Sequence, residues 1–265
     1  MLSKLLKYEI KATVRIFLPL YVVLLVIAAI NKGISALSPN GVKVPEVIST
    51  IIYGMILVGI FVMTLVVMIQ RFYKNLLSDE GYLSFTLPTK TWKHIVSKLL
   101  IAMMWTVASG IIAIASIIIV AYDKIFANGI QSALFDPIEK YFSDYGITGV
   151  IFILEALLAM VICLASSILL VYASIAIGHL FNRHRILLSL GAFMALSTVS
   201  QIIFAIAGIA FGKALQTDYF GINNNFSLDP TAHITMWCGI IFFGLLSAGY
   251  FAITNYILSR RLNLE

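Results

Sequence analysis

Glu155 is the one acidic residue inside an apolar run of this chain, embedded in Ile-Phe-Ile-Leu-Glu-Ala-Leu-Leu-Ala-Met. A carboxylate held in hydrocarbon costs roughly 2.5–3.5 kcal/mol on insertion scales, so such a residue faces a polar cavity or a partner, snorkels outward, or takes up a proton. Placed about two turns from one end of its run, it has the chemistry of an ion or proton site, or of a group lining a substrate pathway. The polar residues that recur in this and other apolar runs, Ser166, Ser197, Gln201 and Thr106, are the further candidates for that pathway.

Other chemistries find no constellation. There is no Gly-x-x-x-x-Gly-Lys-Ser/Thr phosphate loop, so ATP is not bound by this chain in the P-loop manner. No His-Glu-x-x-His occurs, and His94, His179, His184 and His233 are scattered, which argues against metal hydrolysis. No serine has an identifiable base and orienter, so nucleophilic catalysis lacks support. The two cysteines, Cys163 and Cys238, both fall in apolar runs and read as small core residues. The chain is expected to be no enzyme and to bind no cofactor.

Hydrocarbon must position these residues. Apolar residues make up 61% of the 265, charged residues 11%, and mean hydropathy is +1.00, against about 25% charged residues in soluble domains. The composition predicts an all-α, polytopic membrane protein, one transmembrane domain over residues 1–265. A bilayer core of roughly 30 Å takes about 20 helical residues. Six runs meet that length, at about 16–34, 48–70, 99–122, 149–178, 186–212 and 234–258. Of 18 basic residues only Lys32, Lys43, Lys124, Lys140 and Lys213 fall outside the segments that would face inward. The positive-inside rule therefore predicts both termini in the cytoplasm. The net charge of +6 follows from that asymmetry and not from a clustered basic face, so nucleic acid is not an expected partner.

Local signals refine the runs. Residues 1–15 place Leu2, Leu5, Leu6, Ile10 and Val14 on one stripe with Lys4, Lys7, Lys11 and Arg15 around it, which predicts an amphipathic helix on the inner leaflet leading through an elbow into the first span. Asp136-Pro137-Ile138-Glu139 has a cap, a proline at the first helical position and a carboxylate three residues after the cap, predicting a short external helix. Asp229-Pro230 marks the start of the last span. Small or weakly polar residues form stripes: Ala102, Thr106, Ser109, Ala113 and Ser116 in the third span; Glu155, Ala159, Cys163, Ser166, Ala173 and Ala176 in the fourth; Ser197, Gln201, Ala205, Gly208 and Gly212 in the fifth. Close helix packing and a substrate-facing surface both fit such stripes, and the two can coexist.

Arg71 to Lys98 is the long polar segment of the inner side. Phe72 to Leu77 can continue the second span, Ser78 or Asp79 can cap a short helix, Pro88 stops it, and Thr89 or Thr91 can open the next one. Two products fit this pattern, a short helix along the membrane presenting Tyr82, Leu83 and Phe85 as a docking site, or a solvated connecting loop.

Asp79-Glu80-Gly81-Tyr82-Leu83, Phe85-Thr86-Leu87-Pro88 and Ser97-Lys98-Leu99-Leu100 resemble the cytoplasmic loop of permease subunits of type-two ABC exporters, especially of Gram-positive bacteria. Leu5-Leu6-Lys7-Tyr8-Glu9-Ile10-Lys11-Ala12-Thr13 looks like the amphipathic start of the same proteins. The resemblance implies a permease in a bacterial plasma membrane, paired with a second permease, identical or not, and with separate ATPase subunits that hold ATP and magnesium. It implies a coupling helix between spans two and three, with Asp79, Glu80, Gly81, Tyr82, Leu87 and Pro88 meeting the ATPase. The transported substrate, peptide or drug among others, stays open, as does re-entrant structure at 213–233. The competing expectation is a self-contained channel or secondary transporter using Glu155.

Overall fold

A computed structural model describes residues 2–37, 43–76, 91–127, 135–181, 184–215 and 230–260. Among them there is no strand, and six helices are long and apolar enough to cross a membrane. These are α1 (Leu2–Leu37), α2 (Lys43–Leu76), α3 (Thr91–Ala127), α4 (Asp136–Gly178), α5 (Arg185–Leu215) and α6 (Pro230–Arg260). Each of the six expected runs lies inside one of them. The chain is thus all-α and reads as a multi-pass membrane protein.

The helices are longer than the apolar runs because their polar ends are helix formers too. At one end, α1 continues without a break through residues expected to form a separate surface helix. No glycine or proline interrupts residues 2–15, and Glu9 and Thr13 bond to Lys98 and Trp105 of α3. Pro19 is accommodated within the helix. As expected, α6 opens on Pro230, whose missing N–H is one that a first turn leaves unused. The short helix expected from Asp136 is present as well: a break at Gly146 (φ 52°, ψ −130°) divides α4, and only glycine reaches that conformation without strain. Tyr141 leans across the break and donates its hydroxyl to the carbonyl of Gly149 at 3.1 Å.

The chain divides into two compact units. Unit 1 takes residues 1–71 and 93–137, which include most of α1, α2 and α3. Its centre is Leu24, Ala28, Tyr53 and Ile60, packed by Leu20, Ile56, Ile112 and Ile119, with Phe17 stacked on Trp105 at 4.4 Å. Unit 2 takes residues 72–92 and 138–265. There Phe72 stacks on Tyr172 at 4.0 Å, and both side chains are almost wholly buried. Gly178 and Ser189 meet where α4 turns into α5 through a loop in which His184 has φ 60°.

Both units show the reverse of a soluble fold. Large apolar side chains such as Val22, Val26, Val58, Ile111, Leu154, Ile202 and Leu245 point outward, while Thr13, Asn31, Thr64, Ser109, Ser116, Ser166 and Thr254 are buried. Hydrocarbon outside removes the drive to bury leucine, so helices cohere through packing and interhelical hydrogen bonds.

Candidate functional site

In unit 1 a polar seam runs along the three helices. Glu9, Thr13, Phe17 and Tyr21 succeed one another at i+4 on α1, which places them in one row. Glu9 accepts from Lys98 (2.8 Å) and from Arg71 (3.3 Å). Thr13 accepts from the Trp105 indole at 2.8 Å. The Tyr21 hydroxyl lies 2.8 Å from Ser109 Oγ, which lies 3.0 Å from Thr64. Farther along, Tyr53 bonds Ser116 at 2.9 Å and Ser49 donates to Asn31 at 2.5 Å. The small polar stripe of the third span is therefore a packing surface at Ser109 and Ser116. Thr106, expected in a pathway, turns its hydroxyl back to Ala102 of its own helix.

Arg71 and Lys98, the residues that Glu9 joins, bound the long polar segment. Its other flanking residues are seated in unit 2, with Phe72 on Tyr172, Tyr73 5.0 Å from the His179 ring, and Thr91 donating to the side-chain oxygen of Asn255 at 2.9 Å. The expected continuation of the second span holds through Leu76, and Thr91 opens α3. Asp79, Glu80, Gly81, Tyr82, Leu87 and Pro88 lie outside the described residues, as does most of 213–233.

The second constellation is in unit 2. Glu155 is buried, with 8% of its surface exposed. One carboxylate oxygen accepts from the Trp237 indole N–H at 2.9 Å, and the other lies 2.8 Å from His233 Nδ1. Phe152 stands edge-on to the same imidazole at 5.7 Å. His233 and Trp237 are four apart on α6, so one helix face supplies both donors. Sequence singled out Glu155 but not these two; their i, i+4 spacing just after the start of the last span was the available signal.

A cavity of about 450 Å³ lies between α4, α5 and α6. Small residues make the room, among them Ala156, Ala159, Gly208 and Gly239, and Phe204, Phe242 and Phe243 form an aromatic wall with ring centres 5.4–5.8 Å apart. The two cysteines, expected as plain core residues, both line it. Ala156 and Ala159 line the cavity from α4, while Glu155, His233 and Trp237 are not among its lining residues.

The remaining pathway candidates do not converge on Glu155. Ser166 is buried farther along α4, while Ser197 receives a hydrogen bond from Gln201 of its own helix at 3.2 Å. Among the described residues no three metal-ligating side chains gather. The chain matches no protein-family model, no curated protein and no solved structure.

Proposed function

We propose that this chain is the permease subunit of an ATP-driven exporter of the type-two ABC class, set in a bacterial plasma membrane with both termini inside. It works with separate ATPase subunits, which hold ATP and magnesium, and with a second permease. ATP closes the ATPase pair, the segment around residues 78–88 is displaced, and the spans move between inward-open and outward-open arrangements. The bias comes from tighter ATP binding to one of the two states.

The observation that supports this reading is how the flanks of that segment are held. A loop pushed by a soluble partner passes displacement on only if its ends are seated on the spans. Here Arg71 and Lys98 are clamped by Glu9, Phe72 stacks on Tyr172, and Thr91 bonds Asn255. Glu155, buried against a histidine, favours the second reading, a secondary transporter with an intramembrane proton site.

Gly81→Pro and Glu80→Lys separate these. Proline in a short helix costs roughly 3 kcal/mol by removing a donor and clashing with the preceding turn, whereas Glu80→Lys leaves the backbone intact and reverses a charge. Both variants should insert normally and then fail to assemble with the ATPase or to transport. Survival of transport and ATPase association in both, or recovery of no ATPase from mild detergent, would leave the proton-site reading.

A further inference from the structure

We propose that the exposed face of α1 binds an anionic phospholipid, whose headgroup meets Lys7, Lys11 and Arg15 and whose acyl chains lie along Leu18, Val22 and Val26. Lys7, Lys11 and Arg15 follow one another at i+4, so they stand in one row, and all three are exposed. Farther along the helix the same face turns apolar without becoming covered, with Leu18, Val22, Val26 and Ile30 each at least half exposed. Large apolar side chains at helical spacing over about 18 Å are what a bilayer core faces, so the cations that precede them stand where headgroups begin. Lys7 to Arg15 covers about 12 Å of helix, and flexible stems let the charges gather in a headgroup layer roughly 5–8 Å deep. Tyr8, between Lys7 and Lys11 in the chain and 73% exposed, is of the residue type enriched at that level.

Among the described residues no acid cancels this charge. Glu9 is the one acid in the first 45 residues, and two positions along a helix are about 200° apart around it, so Glu9 faces away from Lys7 and Lys11. Both of its oxygens are engaged elsewhere, by Lys98 and by Arg71. Lys7, Lys11 and Arg15 form no ion pair with any described residue. Because the row runs directly into a lipid-facing surface, the anion that can meet all three cations and the apolar residues beyond them is one carried by a lipid. Its headgroup has net negative charge, since a zwitterionic one brings a cation of its own against the row. Each basic side chain close to an anionic leaflet is worth about fivefold in lipid partition.

The contact requires neither the exporter reading nor a given orientation of α1, because both leaflets of a nanodisc carry the same lipids. A bimane fluorophore is attached at Leu18→Cys in the full chain lacking Cys163 and Cys238. The nanodiscs are phosphatidylcholine with an equal mole fraction of either brominated phosphatidylglycerol or brominated phosphatidylcholine, so that the ratio of the two quenching constants reports local enrichment at a fixed depth. A net charge of +6 draws anionic lipid to the whole perimeter, and the same label at Leu245, 70% exposed on α6, gives that background. At Leu18 the ratio should exceed the Leu245 value by at least about fivefold. Lys7→Gln, Lys11→Gln and Arg15→Gln together should return it to background, while Lys7→Arg, Lys11→Arg and Arg15→Lys together should keep it. Unchanged quenching by brominated phosphatidylcholine in every variant keeps folding and insertion out of the comparison.

A ratio at Leu18 no higher than at Leu245, or a preference that survives in the triple glutamine variant, overturns the proposal. Salt at 1 M, where charges reach only about 3 Å, should weaken the preference, and indifference to salt overturns the role of the three cations. Inorganic phosphate should do no more than sodium chloride of the same ionic strength. A stronger effect of phosphate overturns the lipid assignment and gives the row to a soluble anion.

Discussion

Glu9 and Lys98 hold each other at 2.8 Å across 89 positions of sequence. The Lys98 ammonium is buried, and the second oxygen of Glu9 takes Arg71. One carboxylate thus serves two cations from the end of α2 and the start of α3. Removing one partner of a buried pair costs more than removing both, because a stranded charge keeps its desolvation penalty.

Glu9→Gln should therefore lower stability by roughly 3–5 kcal/mol, the range for a stranded buried charge. Lys98→Met should cost less, since Glu9 keeps Arg71. The double variant should be more stable than Glu9→Gln alone. Thermal unfolding in detergent measures all three, and additive losses would contradict the pairing.

Gly178 lets α5 return closely along α4. A Cβ there would lie 2.6 Å from the Ser189 backbone nitrogen and 2.7 Å from its Cα, and backbone cannot rotate away as a side chain can. Gly178→Ala should destabilise by roughly 1–3 kcal/mol, as overpacking does. The Ser189 hydroxyl is also in the way, so adding Ser189→Ala should bring only partial rescue, because the main-chain atoms remain too close. Full recovery in that double variant would show the hydroxyl to be the obstacle.

His179 sits in the turn after α4, with Nε2 buried and no hydrogen-bond partner among the described residues. Burial first, and the Arg185 charge second, push its pKa below the ordinary histidine value. The unfolded chain then binds the proton more tightly than the fold, so stability is complete above about pH 6.5 and falls as the pH drops below it. His179→Gln should flatten the pH dependence of the melting temperature below about pH 6.5. An unchanged slope would remove His179 as its source.

Orientation is tested with single cysteines in a background lacking Cys163 and Cys238. Positions 43, 144 and 217 should react with an impermeant thiol reagent added to intact cells, while 90 and 183 should not. Labelling at 90 would invert the topology and remove the segment from ATPase reach.

Hydrophobic run length determined the class and the number of helices, because a membrane-crossing segment must satisfy its own backbone and so announces itself locally. The same locality made the proline starts legible, and with them a short helix ahead of the fourth span, whereas the break at Gly146 that ends it was not singled out. Glu155 could be picked from sequence, since a lone acid in hydrocarbon is costly wherever it points. Its partners could not: His233 and Trp237 are 78 and 82 positions away, and only packing chooses which distant donors reach it. Packing also decided the stripes. Ser109 and Ser116 became interhelical bonds, Ala159 and Gly208 came to line a cavity, and Thr106 turned back to its own helix. Residues of one polarity and spacing took these different roles because helical periodicity sets which side of a helix they share, while the neighbour that covers that side is a property of the tertiary structure alone.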